Sequence, residues 1–288
     1  MKDLISLHDL TSDEVKGLLE LGLKLKKEQK SGIEHHILKG KTLGRIFTKS
    51  STRTRVSFEV GMTQLGGYPL FLSSNDIQLG RGESIYDTAK VLERMLDGIM
   101  IRTYAHQDVL DLAEYANIPV INALTDLLHP CQVLADLMTT YEHKGKLEGL
   151  KLAYIGDGNN MAHSLMYGCA KAGMDCAIAT PENYQCDAEV VANAKDDFKK
   201  SGKELILTTD PVEAIKNADV VYTDTIPPAR ENPHKIFPAV FAGFSPNDHT
   251  VKSNVFDTRT NWLISENTAF FAVRQKRTVP LVILTKKI

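Results

Sequence analysis

Short apolar runs alternate with stretches of helical periodicity along the first 225 residues of the chain. A capping box at Thr11-Ser12-Asp13-Glu14 opens the first predicted helix, in which apolar residues recur every three to four positions. The strands predicted next are short and apolar, and they lie at Thr42–Phe47, Tyr68–Leu72, Gly98–Ile101 and Pro119–Ile121. Predicted helices separate them at about Arg53–Leu65, Ser84–Leu96 and Gln107–Ala116. This alternation is typical of an α/β domain built on a parallel sheet.

The same alternation resumes after a predicted helix at His129–Tyr141 and a polar segment at 144–149. The strands predicted there are Leu150–Ile155, Asp175–Ala179, Leu205–Thr208 and Val220–Thr223. The helices between them are predicted at about Met161–Ala172, Ala188–Lys200 and Pro211–Asn217. We therefore predict an α/β fold of two doubly wound parallel-sheet domains, residues 1–143 and 150–225, the second incomplete or irregular at its C-terminal end.

The rhythm stops after Thr225, and we predict that residues 226–288 form an atypical tail. This stretch shows no convincing helical periodicity, and its clearest strand candidate is Val279–Leu284. It carries nine Lys and Arg against four Asp and Glu, whereas the preceding 225 residues carry 25 basic and 32 acidic side chains. Six of the eleven prolines also lie in it. The tail is therefore a different kind of sequence from the rest of the chain.

The composition excludes several classes of protein. The chain of 288 residues is 24% charged and 43% hydrophobic, which is ordinary for a soluble globular protein. Its formal net charge of −2 provides no global basic field, so we expect no nucleic-acid partner. There is neither an apolar run of the ~18–20 residues that span a bilayer nor an N-terminal secretory signal, so we expect a cytoplasmic protein without a membrane partner. The four cysteines have no C-x-x-C spacing, which favours buried thiols over disulfides or a zinc site.

A hydroxyl- and arginine-rich segment, Phe-Thr-Lys-Ser-Ser-Thr-Arg-Thr-Arg at 47–55, follows the first predicted strand and opens the next helix. The free N–H groups of a first helical turn and the helix dipole both favour an anion. Arg53 and Arg55 add guanidinium groups, whose two-pronged geometry suits phosphate oxygens. The segment therefore indicates a phosphate site. The alternative, an ordinary Ser/Thr cap followed by a solvated basic face, stays open at this point.

A second motif is His129-Pro130-Cys131-Gln132. Proline favours the first turn of a helix, so His129 and Gln132 are expected on one face at its start. His129 can donate to a carbonyl oxygen, and Gln132 offers both a donor and an acceptor. A histidine that only caps the helix is at least as good an interpretation.

A third motif, Gly156-Asp157-Gly158-Asn159-Asn160, follows the first strand of the second predicted domain. It lacks the third glycine of a dinucleotide fingerprint, and no acidic residue ends the next strand, so NAD binding is disfavoured. Asn160 is nevertheless well placed, near the carboxyl end of a parallel strand, to hold a polar ligand. Asp224 ends another strand of the same predicted sheet.

Together these motifs resemble the aspartate/ornithine transcarbamoylase family, and its ornithine branch in particular. Residues 51–55 look like the family's carbamoyl phosphate motif, and residues 129–132 look like its His-Pro-x-Gln motif. Residues 76–89 resemble the loop of the ornithine branch, since they lack the catalytic lysine that the aspartate branch carries there. Residues 155–160 are similar to the acceptor loop of that branch. The resemblance extends over residues 1–225 only, nearly four-fifths of the chain.

The resemblance implies transfer of a carbamoyl group from carbamoyl phosphate to the δ-amine of L-ornithine, a step of arginine metabolism, without a metal or organic cofactor. The residues implied to bind carbamoyl phosphate are Ser51, Thr52, Arg53, Thr54, Gln78, Arg102, His129 and Gln132. Four of these are implied to be catalytic, namely Arg53, Arg102, His129 and Gln132. Asn160 and Asp224 are implied to hold ornithine. Gln78 matches a position that a neighbouring subunit lends to the site, which implies a homotrimer or a multiple of one.

The tail departs from the family pattern on the acceptor side. The family segment Asp-x-x-x-Ser-Met-Gly would begin at Asp224, but Pro228, Ala229 and Arg230 stand where it has Ser, Met and Gly. The segment His-Cys-Leu-Pro is also absent, because the last cysteine of the chain is Cys186. We therefore predict carbamoyl phosphate binding with impaired or lost ornithine turnover. Two alternative functions stay open, namely a transcarbamoylase with another acceptor and a catalytically silent carbamoyl-phosphate-binding protein. Two origins of the tail also stay open, namely a shifted reading frame and true divergence.

Overall fold

In the computed structural model, which describes residues 1–223, 261–265 and 269–273, the first four apolar runs form one parallel sheet. Its strands are β1 (Thr42–Phe47), β2 (Tyr68–Ser73), β3 (Gly98–Arg102) and β4 (Val120–Leu124), in the order β2-β1-β3-β4. The helices of this part of the chain are α1 (Ser12–Lys30), α2 (Thr52–Gln64), α3 (Ile85–Leu92), α4 (His106–Tyr115) and α5 (Pro130–Lys144). A 3₁₀ turn at Gln78–Arg81 precedes α3. The capping box predicted at the start of α1 is present, with Thr11 and Glu14 each accepting from the other's backbone N–H.

Successive side chains of β1, β3 and β4 point to opposite faces of the sheet, and most of their residues are buried, on both faces. Ile46 of β1 packs with Ile99 and Ile101 of β3 on one face, where Val109 and Leu112 of α4 cover them. All five side chains are fully buried. Burial of apolar surface on this scale supplies most of the driving force for folding the unit. The strand pattern is therefore explained by a sheet covered on both sides rather than by a half-exposed one.

The second parallel sheet contains β5 (Lys151–Ile155), β6 (Asp175–Ala179), β7 (Leu205–Thr208) and β8 (Val220–Thr223). Its helices are α6 (Asn160–Lys171), α7 (Ala188–Ser201) and α8 (Pro211–Ile215). The four strands pair in the order β8-β5-β6-β7, and all of these pairings are parallel. The predicted fold class is confirmed by these two four-stranded parallel sheets with flanking helices.

The tail adds two strands that the sequence analysis missed. β9 (Asn261–Ser265) pairs antiparallel with β8, and β10 (Ala269–Val273) pairs antiparallel with β9. The strand predicted at Val279–Leu284 lies outside the described residues, as does Asp224. The sheet is thus parallel at its centre and antiparallel at the β8 edge.

The chain divides into two compact units, the first covering Met1–Thr139 and the second beginning at Thr140. The division falls within α5. Across the described residues, no helix combines the length and the apolar character that crossing a membrane requires.

Candidate active site

Three segments of the first unit leave the carboxyl ends of neighbouring strands. The segment after β1 contains Ser51 and opens α2, β3 ends at Arg102, and the segment after β4 contains His129 and opens α5. Because β1, β3 and β4 are consecutive in the sheet, these segments meet at one edge. Such an edge is where parallel α/β sheets place their ligands.

The start of α2 has local features that favour an anion. Ser51 is its N-cap in an extended conformation (φ −160°, ψ 116°). The Ser51 Oγ accepts a hydrogen bond from the Thr54 backbone N–H at 3.2 Å, and the two hydroxyl oxygens are 3.1 Å apart. No acidic residue occupies the first turn, so no side-chain carboxylate neutralises the positive end of the helix dipole.

Arg102 ties this helix start to the end of β3. Its Nη1 donates to Thr54 Oγ1 at 3.3 Å, and its carbonyl oxygen accepts from the Thr48 backbone N–H at 3.0 Å. Burial lowers the pKa of the Arg102 guanidinium, and the positive charge of Arg53 lowers it further. The positive charge of Arg53 therefore acts unfavourably on the Arg102 guanidinium, an interaction that a bound anion would relieve.

His129 completes the cluster as an uncharged donor. Burial lowers the pKa of its imidazole to about 3, and the positive charges of Arg102 and Arg53 contribute to the shift. At neutral pH the ring is therefore neutral and carries one N–H, which suits a carbonyl oxygen. The His129 backbone carbonyl accepts from the Gln132 N–H at 3.2 Å, so His129 directly precedes α5 and Gln132 lies in its first turn.

Gln132 is oriented by a neighbour that the sequence analysis missed. Its Nε2 donates to Oδ1 of Asp136 at 3.0 Å, one turn further along α5. Asp136 is buried, so this contact restrains the Gln132 amide. The (i, i+4) spacing of an amide and a carboxylate on one helix was the available signal.

The two arginines of the motif point to different surroundings. Arg53 is exposed, and its charge acts on both Arg102 and His129. The Arg55 guanidinium instead lies 3.8 Å from the centre of the Phe71 ring, with its Nε 3.9 Å from Glu59 Oε2. The structure therefore brings Arg53 into the cluster and leaves Arg55 beside β2.

For three other candidate residues, the structure gives only a position at the start of a helix or turn. Thr52 is the first residue of α2, and Gln78 begins the 3₁₀ turn after β2; both are exposed. In the second unit, Asn159 caps α6, so Asn160 is the first residue of that helix. Asp224 lies outside the described residues. The roles predicted for these four residues stay predictions, as do those of the other candidate site residues.

Two family models match the chain, one in each half. The model described as "Aspartate/ornithine carbamoyltransferase, carbamoyl-P binding domain" matches residues 2–142, and the model described as "Aspartate/ornithine carbamoyltransferase, Asp/Orn binding domain" matches residues 148–258. The chain belongs to the aspartate/ornithine carbamoyltransferase family. The resemblance inferred from the motifs is confirmed, and so is the predicted enzyme class.

Individual relatives agree with this carbamoyltransferase assignment. The ornithine carbamoyltransferase of Carboxydothermus hydrogenoformans is 60% identical over 223 residues, which are 77% of this chain and 72% of the relative. That of Bacillus subtilis is 57% identical over 223 residues, or 77% and 69% of the two chains. The solved structure of ornithine carbamoyltransferase from Pyrococcus furiosus superposes with a TM-score of 0.77 at 50% identity, over 83% of this chain and 77% of that one.

In this carbamoyltransferase the loop Gly156–Asn160 is held by hydrogen bonds between its backbone groups and two tyrosines, Tyr154 and Tyr184. The Gly158 N–H donates to the Tyr184 carbonyl at 2.8 Å, and the Tyr154 hydroxyl donates to the Asp157 carbonyl at 2.8 Å. A Cβ on Gly158 would lie 2.4 Å from the carbonyl carbon of Gln185 and 2.5 Å from the Tyr184 carbonyl oxygen. Only a glycine therefore lets segment 184–186 approach the loop this closely.

Replacing Gly158 with alanine is expected to destabilise the protein by about 1–3 kcal/mol, because backbone atoms must move to admit the methyl group. Gly17, inside α1, is the matched control, since an added Cβ there meets nothing within 4 Å. Gly17→Ala is expected to stabilise the protein by about 0.5–1 kcal/mol through helix propensity. Urea unfolding measures both changes. Equal effects of the two substitutions would contradict the close approach at Gly158.

The cysteine inside the His-Pro-x-Gln motif is a packed side chain. Within the described part of the chain, no three His, Cys, Asp or Glu side chains are grouped to hold a metal ion. The four cysteines are free thiols. Burial raises the pKa of Cys131 to about 12, and its Sγ donates to the Asn122 carbonyl at 3.3 Å. Cys131, although inside the His-Pro-x-Gln motif, is therefore a packed thiol rather than a nucleophile.

Proposed function

We propose that this chain transfers the carbamoyl group of carbamoyl phosphate to the δ-amine of L-ornithine, which gives L-citrulline and phosphate. The observation that carries the proposal is the pair of guanidinium groups, Arg53 and Arg102, gathered around the open N-terminus of α2 beside a neutral imidazole. Two cations and a helix dipole suit a phosphate dianion, and an uncharged N–H donor suits the carbonyl oxygen next to it. Carbamoyl phosphate contains both groups, joined through one bridging oxygen.

In the proposed reaction the neutral δ-amine attacks the carbonyl carbon of carbamoyl phosphate. Negative charge then develops on the carbonyl oxygen, where Arg53, Arg102 and His129 stabilise it. Gln132, held by Asp136, orients the carbamoyl amino group. Phosphate leaves with its charge already matched by the first turn of α2, with hydroxyl contacts from Ser51, Thr52 and Thr54. The attacking amine loses one proton as the new C–N bond forms and the C–O bond to phosphate breaks, and an oxygen of the departing phosphate takes that proton. The neutral imidazole of His129 acts only as a hydrogen-bond donor.

The acceptor side of the proposal rests on fewer observations. The relatives are named ornithine carbamoyltransferases, and the second half of the chain matches an Asp/Orn binding domain. Asn160 and Asp224 are our candidates for the α-carboxylate and α-amino group of ornithine. We further propose a homotrimer in which Gln78 serves a neighbouring subunit, and a cytoplasmic location in arginine metabolism.

A second function is favoured by one feature of the sequence. The Ser-Met-Gly and His-Cys-Leu-Pro segments of the family are missing from the chain, and both belong to the acceptor side. A protein that binds carbamoyl phosphate but does not transfer its carbamoyl group would need only the residues of the first unit. We expect ornithine turnover to be impaired for the same reason.

The deciding experiment follows phosphate and citrulline release from carbamoyl phosphate with ornithine, aspartate, putrescine or no acceptor. A protein-free reaction corrects for spontaneous breakdown of carbamoyl phosphate, and calorimetry with a phosphonate analogue measures binding separately. Release that requires ornithine supports the transfer reaction. Binding of the analogue without release for any acceptor supports the silent binding protein. Absence of both binding and release would overturn both functions.

A further inference from the structure

A buried arginine occupies the centre of the first sheet. Arg45 lies in the middle of β1, in register with Phe71 of β2 and Met100 of β3, and it is 1% exposed. It is the only charged residue in a strand whose other side chains are Thr, Leu, Ile and Phe. A charged group at such a position is costly to desolvate and calls for an explanation.

The Arg45 guanidinium joins the sheet to two successive turns of α2. Its Nη1 donates to the Arg55 carbonyl oxygen at 2.8 Å, and its Nη2 lies 2.9 Å from Oε2 of Glu59. The Phe71 ring lies beside it, 5.9 Å from the guanidinium carbon to the ring centre. Arg55 covers the same ring. The sheet and the helix are therefore fastened together immediately after the first turn of α2.

Stability alone does not account for this arrangement. Apolar residues of similar volume often replace buried charged groups with no loss of stability. The Glu59 partner is half-exposed, which weakens the pair further. Within the described residues, the buried Nε of Arg45 has no hydrogen-bond partner, so the guanidinium is incompletely satisfied. What the contact does provide is a fixed position for one backbone carbonyl, that of Arg55. This residue follows Thr54, whose side chain contacts both Ser51 and Arg102.

We propose that Arg45 is a positioning residue, which holds the first turn of α2 in place for the phosphate group. The proposal rests on the phosphate-binding role of that turn in the proposed function. Arg45 acts through the Arg55 carbonyl and Glu59 and does not itself contact the ligand. Without Arg45, α2 keeps its helical hydrogen bonds but is no longer fixed in position relative to β1. Ser51, Arg53 and Thr54 then move together with the helix.

The test compares Arg45→Met with Lys41→Met. Lys41 precedes the opposite end of β1 and pairs with Asp97 at 2.8 Å, so this control removes one positive charge and one ion pair beside the same strand. Calorimetry with inorganic phosphate is expected to show affinity lowered about tenfold or more by Arg45→Met, the equivalent of one lost charged hydrogen bond, and little changed by Lys41→Met. Arg45→Lys, which retains the charge but not the two-pronged geometry, is expected to recover only part of the affinity.

Glu59→Gln provides a milder variant if Arg45→Met fails to fold, because Glu59 is half-exposed. It is expected to lower phosphate affinity in the same direction. Unchanged affinity in both Arg45→Met and Glu59→Gln, with both proteins folded, would overturn the positioning role.

Hydrogen exchange separates this inference from the proposed function. Backbone amides of residues 54–59 are expected to exchange faster in Arg45→Met than in wild type, while amides of α4 and β4 keep their protection. A uniform loss of protection would show a merely structural role and contradict the proposal. If wild-type protein binds neither inorganic phosphate nor the phosphonate analogue and releases nothing from carbamoyl phosphate, the proposed function fails. The exchange of residues 54–59 alone then decides whether Arg45 positions α2.

Discussion

Replacing Arg53 with methionine is expected to weaken carbamoyl phosphate binding by about 10- to 100-fold, the equivalent of one to two charge-assisted hydrogen bonds. Arg53 is exposed and its charge bears on both Arg102 and His129, so its removal takes a cation from the centre of the cluster. The free energy of unfolding is expected to change by no more than about 0.5 kcal/mol, as for other exposed positions. Calorimetry with the phosphonate analogue and urea unfolding measure the two quantities.

Arg55→Met is the matched control, two residues further along the same helix. The Arg55 guanidinium lies over Phe71, so its loss is expected to weaken binding at least several-fold less than the loss of Arg53. Equal losses from the two substitutions would show that Arg55 leaves Phe71 when the ligand binds. In that case both Arg53 and Arg55 would contact the phosphate group.

Replacing His129 with glutamine is expected to reduce carbamoyl transfer by about 10²- to 10³-fold, the usual cost of removing one donor to a developing oxyanion. The substitution is also expected to make stability less sensitive to acid. The pKa of His129 is about 3 in the folded protein, below the ordinary histidine value of about 6.5. Between these pH values the unfolded chain binds a proton that the folded protein excludes.

The contribution of His129 to the pH dependence of stability therefore has a definite sign. It is fully favourable above pH ~6.5 and is lost progressively as the pH falls from ~6.5 toward ~3. Urea unfolding of wild type should accordingly weaken more between pH 6.5 and pH 4 than unfolding of His129→Gln. An NMR titration that places the His129 pKa near its ordinary value would contradict the prediction, as would identical pH profiles for the two proteins.

Local sequence signals were sufficient for the fold of the first 223 residues. The strands are apolar runs bounded by capping residues, and Thr11 and Ser51 marked the starts of their helices because a cap acts within four residues of itself. Pro130 likewise placed His129 and Gln132 in one helical turn. These features depend on neighbours along the chain, so they are visible without a structure.

Features that depend on distant contacts were not visible in this way. The pKa of His129 is lowered by burial and by Arg53 and Arg102, which reach it from two other segments. The position of Arg55 depends on Phe71, and the antiparallel strand β9 depends on the edge of β8. Arg45 left a visible signal, a charge within an apolar strand, but its partners on α2 could be identified only from the fold.

The unfavourable interaction between the Arg53 and Arg102 charges affects the choice of buffer for the protein as well as the proposed binding of carbamoyl phosphate. A ligand that binds only the folded state raises the free energy of unfolding by RT ln(1 + [L]/Kd), which reaches about 2.7 kcal/mol at a hundred times the Kd. If the cluster binds phosphate as proposed, phosphate buffer acts as a ligand there, raises the melting temperature and competes with carbamoyl phosphate. Preparations made in phosphate and in an amine buffer would then differ in both stability and apparent affinity while having the same sequence.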